Sequence, residues 1–286
     1  MAERLTGQAP AKLNLVLEVT ARRDDGYHEV DTVLQTLELA DEVGVVLTGG
    51  RGVQVDGPYA RGTPTGDSNL AWRAAAGLAQ HLGRDTRGLG IRLTKRIPPA
   101  AGLGGGASDA ATVLRLLQAP WGATEGQLLE VANSIGSDEA FFLVRGTARA
   151  RGRGELVTPL PPLARHGVVL FIPPETIEQK TARMFAALDR LPVDAGGVAE
   201  TFARRAAGPF RGADVYNSFE RVAFDVFEGL GELWAELEDR TGEPIRLAGA
   251  GPTLFWIGAE HVTPVVAAAA EGLACTVIET ATAGGG

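Results

Sequence analysis

The stretch "IPPAAGLGGGASDAATVLRLLQ", Ile97 to Gln118, crowds four glycines into Gly102–Gly106 and then runs straight into an apolar helix pattern. Ala110, Val113, Leu114 and Leu117 fall at i, i+3, i+4 and i+7, the spacing of a helix with one buried face. The glycine loop is therefore expected to feed a helix N-terminus. Such a terminus presents unpaired N–H groups and the positive end of a dipole, and glycines let the backbone approach an anion without Cβ clashes. The natural guest is a phosphate. A tight glycine turn packed beneath another segment, with Ser108 as an ordinary N-cap, is the alternative that needs no ligand.

Around this loop the bulk properties are those of an ordinary soluble globular protein. The chain has 286 residues, enough for one large or two medium domains, with 45% apolar and 22% charged residues. The 27 Lys and Arg against 35 Asp and Glu leave a net charge of -8, so no basic field attracts a nucleic-acid backbone and any phosphate must be held locally. Cys275 alone excludes an internal disulfide framework, and His28, His81, His166 and His261 are too scattered for a metal cluster. "MAERLTGQAP" has no signal-peptide apolar run, and no stretch of membrane-spanning length occurs. The expectation is a cytoplasmic protein, a monomer or weak dimer, with no nucleic-acid or membrane partner. The tail "TATAGGG" is expected to fray.

Along the chain, "AKLNLVLEV" (Ala11–Val19) alternates, with Leu13, Leu15, Leu17 and Val19 on one face and Lys12, Asn14, Val16 and Glu18 on the other. It reads as a half-buried strand with a polar face. An Asp-Gly turn at Asp25 and Gly26 leads into a second strand-like segment. A helix opened by Ser68 as N-cap carries Leu70, Ala74 and Leu78 on one stripe and stops at Gly83. "GIRLTKRIP" reads as a short strand. Thr124 and Gln127 have capping-box spacing ahead of a helix to Ile135. The Gly- and Pro-rich "GRGELVTPLPPLARHG" marks a boundary near 155 to 165, giving segments 1–158 and 159–286. Beyond it, "GVVLFIPP" reads as a buried strand, "KTARMFAALDRL" and "SFERVAFDVFEGLGELWAELEDRTG" as helical, and "PIRLAGAGPTLFWIG" as strand, turn, strand. No regular βαβ rhythm appears, so an α+β architecture is favoured over a doubly wound sheet.

Three phosphate motifs compete for the loop. A P-loop requires Gly-Lys-Ser/Thr at its end, where this chain has Ala107, Ser108 and Asp109. A dinucleotide fingerprint is formally met by Gly102, Gly104 and Ala107, but no acid follows on a strand about 20 residues on, since Glu125 lies in a cap. The loop instead resembles the phosphate loop of the galactokinase, homoserine kinase, mevalonate kinase and phosphomevalonate kinase (GHMP) superfamily. The longer Gly-Leu-Gly-Gly-Gly form followed by Ser-Asp-Ala-Ala is similar to the branch that phosphorylates 4-diphosphocytidyl-2-C-methyl-D-erythritol in the non-mevalonate isoprenoid pathway.

That resemblance spans most of the chain. It implies a GHMP kinase fold, with an N-terminal ribosomal protein S5 domain 2-like ATP-binding domain and a C-terminal α/β-sandwich (ferredoxin-like) domain, and it implies ATP and Mg²⁺. The nucleotide would be held by Pro99, Ala101, Gly102, Leu103, Gly104, Gly105, Gly106, Ala107 and Ser108, with Ser108 also beside the metal. "SNLAWRAA" resembles the family's helix start near the adenine, which points to Asn69 and Leu70, and Lys95 precedes the loop as a nucleotide contact. "PAKLNLVLEV" resembles the family's first motif, and on a strand Lys12 and Asn14 emerge on one face and can address one substrate. "RRDDGYHEVDTV" resembles the segment that sets this branch apart, implying that Tyr27 and His28 contact the cytosine. "IGSDEAFFLVRG" corresponds to the segment of the catalytic carboxylate and assigns that role to Asp138, with Lys12 as its pair. "KTARMFAAL" would place Phe185 on the cytosine opposite Tyr27, with Thr181 nearby.

The chain departs from the family pattern at Ala107, Ser137, Glu139, Ala140 and Ala250. The competing readings are another kinase of the superfamily, of homoserine or mevalonate type, which Tyr27 and His28 oppose, and a catalytically silent nucleotide-binding homologue, which the joint presence of Lys12, Ser108 and Asp138 opposes.

Overall fold

The computed structural model of the chain describes residues 4–174, 177–206, 208 and 210–284. It opens with an antiparallel pair of 19-residue strands, β1 (Arg4–Arg22) and β2 (His28–Val46), joined at the expected Asp25-Gly26 turn, where Gly26 takes φ 84°. The strict alternation read in Ala11–Val19 is interrupted, because a bulge falls between Asn14 and Val16. Nor is one face solvated: Lys12, Asn14 and Glu18 are all buried. Structure covers both faces of β1, which a period-two pattern within one strand cannot report.

β3 (Gly52–Asp56), α1 (Leu70–His81) and β4 (Gly90–Thr94) follow, then α2 (Gly105–Trp121), α3 (Glu125–Ile135), α4 (Glu139–Val144), β5 (Thr147–Gly152) and β6 (Leu156–Pro159). The sheet runs β3-β4-β2-β1, with β5 pairing β2 and β6 pairing β5. Leu78 of α1, Leu114 and Leu117 of α2, Leu128 of α3 and Phe141 and Phe142 of α4 pack with Val43, Val45, Ile91 and Leu93 in one core. The amphipathic stripe of α2 is buried as its spacing requires. The capping box at Thr124 and Gln127 is present. At α1 the cap is Asn69, not Ser68: its Oδ1 accepts from the amides of Ala71 at 2.9 Å and Trp72 at 3.3 Å. Either side chain can cap, and one residue of register decides between them.

The remaining elements are β7 (Gly167–Ile172), α5 (Lys180–Leu188), α6 (Val198–Arg204), β8 (Tyr216–Asn217), α7 (Ala223–Val226), α8 (Leu230–Thr241), β9 (Arg246–Leu247), β10 (Leu254–Gly258), α9 (Thr263–Ala269) and β11 (Thr276–Ala281). Four of them form a second, antiparallel sheet in the order β11-β7-β10-β9. The architecture is α+β, as expected. The long helical run expected from Ser218 to Gly242 is broken into a 3-10 turn, α7 and α8, with Gly229 at φ 74° starting the last.

Two features tie the halves together around the site. β8 joins the first sheet in parallel with β1, placing Tyr216 opposite Val16 and Asn217 opposite Leu17. The chain end does not fray where expected: Thr280 and Ala281 belong to β11, Thr282 bridges Leu37, and the Ala283 amide donates to the Thr36 carbonyl at 2.9 Å. Gly285 and Gly286 lie outside the described residues.

Candidate active site

Between the glycine loop, β1, α4 and α5 lies a cavity of about 750 Å³. The loop that forms one wall is shaped by close packing. A Cβ on Gly102 (φ 84°) would stand 2.3 Å from the Ala248 carbonyl oxygen, and one on Gly104 (φ 72°) 2.8 Å from the Phe142 ring and 3.0 Å from Lys12 Cγ. Both glycines are therefore required twice over, by the backbone conformation and by the space. The packed-turn explanation is thus part of the truth. It does not account for the start of α2, which begins at Gly105 with Gly104 as its N-cap and no side chain satisfying its first amides. Those amides are borne by residues that line the cavity, where a phosphate can accept from them.

Ser108 is not the cap of α2 but sits in its first turn, fully buried, with an Oγ that finds no hydrogen-bond partner among the described residues. An orphaned buried hydroxyl costs about 1–3 kcal/mol, and a ligand oxygen or cation at the helix start would relieve that cost.

Opposite, the side chains of Lys12 and Asn14 emerge together as the strand geometry demands: Lys12 Nζ donates to Asn14 Oδ1 at 2.6 Å. The Asn14 amide in turn donates to Thr32 Oγ1 at 2.8 Å, and Thr32 to the Val16 carbonyl at 2.6 Å, so a chain of hydrogen bonds fixes the lysine. The Lys12 backbone amide donates to the Leu103 carbonyl at 3.0 Å, stitching β1 to the glycine loop. Lys12 Nζ stands 3.7 Å from Asp138 Oδ2. Asp138 occupies the cap position of α4, yet its side chain makes no capping bond, and at 41% exposure it opens into the cavity. Burial, with the neighbouring Asp138 charge adding to it, pushes the Glu139 carboxyl up to about 7.

Lys95 lines the cavity from beneath the loop, but its ammonium pairs with Asp41 and, at 2.5 Å, with Asp109. Burial lowers the Lys95 pKa, and the two carboxylates outweigh it, holding the ammonium above its ordinary value. Asp41 also accepts from the amides of Arg96 at 2.5 Å and Ile97 at 2.8 Å, anchoring the chain that leads into the glycines. Asn69, Leu70, Pro99, Ala101, Leu103 and Ala107 line the same cavity, as do Thr181 and Phe185 of α5.

The expected cytosine contacts are arranged differently from the facing pair of Tyr27 and Phe185. The Phe185 ring stacks on His28, centroids 4.3 Å apart and planes 16° from parallel. His28 Nε2 lies 2.8 Å from Asp189 Oδ1. Tyr27 is 52% exposed, with the Arg153 guanidinium 4.7 Å above its ring. The Gly249–Gly251 turn packs on the glycine loop and also presents Lys180, whose ammonium donates to the Gly251 carbonyl. Thr32, Arg153 and Lys180 are cavity residues that sequence reasoning missed. Thr32 and Lys180 sit inside stretches that the resemblance singles out, but for their neighbours, and only the fold shows that these side chains, with Arg153, reach the cavity.

The GHMP kinases N terminal domain matches residues 69–146. The 4-diphosphocytidyl-2-C-methyl-D-erythritol kinase of Pelotomaculum thermopropionicum is 38% identical over 264 residues, 90% of each chain. That of Geobacter sulfurreducens is 36% identical over 276 residues, covering 93% of this chain and 94% of its own. A crystal structure of 4-(cytidine 5'-diphospho)-2C-methyl-D-erythritol kinase superposes with a TM-score of 0.75 at 35% identity, over 98% of this chain and 100% of that one. The mevalonate kinase of L. major shares the fold alone, with a TM-score of 0.72 at 14% identity. On the strength of this agreement in sequence and fold, the chain belongs to the 4-diphosphocytidyl-2-C-methyl-D-erythritol kinase family of GHMP kinases.

Proposed function

We propose that the chain transfers the terminal phosphoryl group of ATP to the C2 hydroxyl of 4-diphosphocytidyl-2-C-methyl-D-erythritol, a step of the non-mevalonate isoprenoid route. The observation that carries the reading is the Lys12–Asp138 pair, 3.7 Å apart and facing the uncapped start of α2 across one cavity. Phosphoryl transfer needs little covalent help from a protein; it needs alignment and compensation of charge. The α2 amides and the glycine loop take the triphosphate. Asp138 accepts the hydroxyl proton or orients the hydroxyl, which matters because a tertiary alcohol is crowded and weakly acidic. Lys12, held by Asn14, supplies a fixed positive charge between acceptor and phosphate. Phe185 and His28 offer the flat surface for the cytosine.

Mg²⁺ would be held through Ser108, whose Oγ lacks a partner among the described residues and lies buried just behind the cavity-lining Ala107 and Asp109. When bound, the ion would neutralise charge on the phosphates. The same proposal includes a division into segments 1–158 and 159–286 flanking the cleft, a cytoplasmic location, and a monomer or weak dimer.

The test is phosphorus NMR of the purified protein with ATP, Mg²⁺ and 4-diphosphocytidyl-2-C-methyl-D-erythritol, with homoserine and mevalonate run in parallel. A new monoester signal with the cytidyl acceptor alone is expected. A signal with homoserine or mevalonate instead, or none with any acceptor while ATP binds, would overturn the assignment.

A further inference from the structure

Lys180 is an ammonium in the cavity that the roles above leave unused. It starts α5 and lines the wall together with Thr181 and Phe185. Its hydrogen-bond partner among the described residues is one uncharged group, the Gly251 carbonyl, and no carboxylate among them forms an ion pair with it. An ammonium can donate three hydrogen bonds, so the cavity side of this one is unsatisfied. Its charged neighbours are Lys12 of β1 and Asp138 at the head of α4, one repelling and one attracting. Lys95, Asp109, Glu139 and Arg153 also face the cavity, but Lys95 and Asp109 are committed to each other.

A largely buried cation with a carbonyl for company and a second cation nearby is an unfavourable arrangement, relieved by loss of its proton or by the arrival of an anion. Lys12 and Asp138 are the reacting pair of the proposed function, so the anion that reaches Lys180 there is the group in transit between them. We propose that Lys180 binds the terminal phosphoryl group of the nucleotide and stabilises the charge that spreads over its oxygens during transfer. This inference rests on the kinase reading. The Gly251 carbonyl holds the side chain in place beforehand, and the Gly249–Gly251 turn, packed against Gly102, ties its position to that of the phosphate loop.

Burial, reinforced by Lys12, lowers the Lys180 pKa to about 7, so at pH 8 the unliganded ammonium is mostly deprotonated. A phosphate that pairs with it pulls a proton onto it, an effect that a purely structural lysine does not have. The experiment is calorimetric titration with the non-hydrolysable analogue AMP-PNP at pH 8, in two buffers of different ionisation enthalpy. ADP and CDP serve as comparison ligands, and Lys180→Met and Lys180→Arg as variants.

The expected result is uptake of about one proton with AMP-PNP by the wild-type protein and a clear loss of that uptake in both variants, arginine being always charged. In turnover, Lys180→Met is expected to lower kcat about 100-fold while leaving KM for the cytidyl acceptor within a few-fold. Uptake unchanged by either substitution would overturn the assignment. So would uptake as strong with ADP or CDP, which would put Lys180 on a non-transferred phosphate or on the diphosphate of the acceptor. If the methionine variant does not fold, the arginine variant decides the proton count alone. The binding measurement needs no turnover, so a wild-type protein inactive on the acceptor would sink the kinase reading and still decide whether Lys180 meets the terminal phosphate.

Discussion

Lys12 and Asp138 meet across the cavity at 3.7 Å, and the lysine is the fixed member of the pair. Lys12 is buried and tethered to Asn14 at 2.6 Å, whereas the Asp138 side chain is 41% exposed. The cation is thereby preorganised and the carboxylate is left to address a substrate.

Asp138→Asn keeps the shape and removes the base. Activity on the cytidyl acceptor should fall by about 10²–10⁴-fold, with AMP-PNP affinity changed far less. Lys12→Met should lose a comparable factor, and the double variant should lose much less than the product of the two, because the pair acts as a unit. Steady-state rates of the four proteins, with calorimetric binding alongside, check this. Multiplying losses would show that the two residues act independently.

How much a sequence reveals depends on the range of the interactions involved. The β1–β2 hairpin, the stripe of α2 and the capping box of α3 depend on residues a few positions apart, and each is legible. The glycine loop is legible as a turn that feeds the start of α2, but not the demand of Ala248 and Phe142 for Gly102 and Gly104, since those contacts come from distant parts of the chain. Alternation in β1 predicts a solvated face at Lys12 and Asn14, and their burial escapes it because nothing within the strand reports the layers that cover it. The ties of Lys95 to Asp41 and Asp109, and the arrival of Lys180, rest on segments with no shared local pattern.

The glycines of the loop should differ in their tolerance of a methyl group. Gly104→Ala forces an alanine to φ 72° with its Cβ 2.8 Å from the Phe142 ring. Strain of about 1–3 kcal/mol is expected before any relaxation. Gly106 is helical, and its added Cβ would meet the end of the Leu70 side chain at 3.3 Å, a contact that can yield. Gly106→Ala should therefore cost little stability. Urea denaturation of both variants distinguishes them, and equal losses would contradict the packing argument.

The ion cluster under the loop should be intolerant of losing its cation. Lys95→Met leaves Asp41 and Asp109 buried without their counter-charge, a change that typically costs about 3–5 kcal/mol. Asp109 is already pushed up to about 7 by burial, with Lys95 opposing and Asp41 adding to the shift. Without Lys95 the Asp109 carboxyl should favour protonation further, so the variant should recover part of its loss at pH 5 relative to pH 8. Denaturation midpoints at the two pH values check this, and a loss independent of pH would argue against it.

Glu139 gives a prediction of opposite sense, a substitution that stabilises. Burial lifts its pKa from the ordinary 4.5 to about 7 in the folded chain. A raised folded-state pKa means that its stabilising contribution is complete below about pH 4.5 and disappears as pH rises through 7. Glu139→Gln removes that titration, so the variant should match the wild type near pH 4 and exceed it at pH 8 by on the order of 3 kcal/mol at most. Equal stability at pH 8 would mean that the carboxylate is adequately solvated in the cavity.

The acceptor side can be separated from the nucleotide side at Phe185. Its ring is stacked at 4.3 Å on His28, and His28 is tied to Asp189 at 2.8 Å, so the flat surface is held in place before a base arrives. Stacking of a base on an aromatic side chain is worth about 1–3 kcal/mol, which corresponds to roughly 5- to 150-fold in affinity. Phe185→Ala should raise KM for the cytidyl acceptor within that range and leave KM for ATP nearly unchanged, because the ring belongs to α5 and not to the glycine loop or α2, which take the triphosphate. Phe185→Tyr preserves the ring and should retain most of the affinity. A rise in KM for ATP instead would place the adenine, not the cytosine, against this surface and would exchange the two substrate sites.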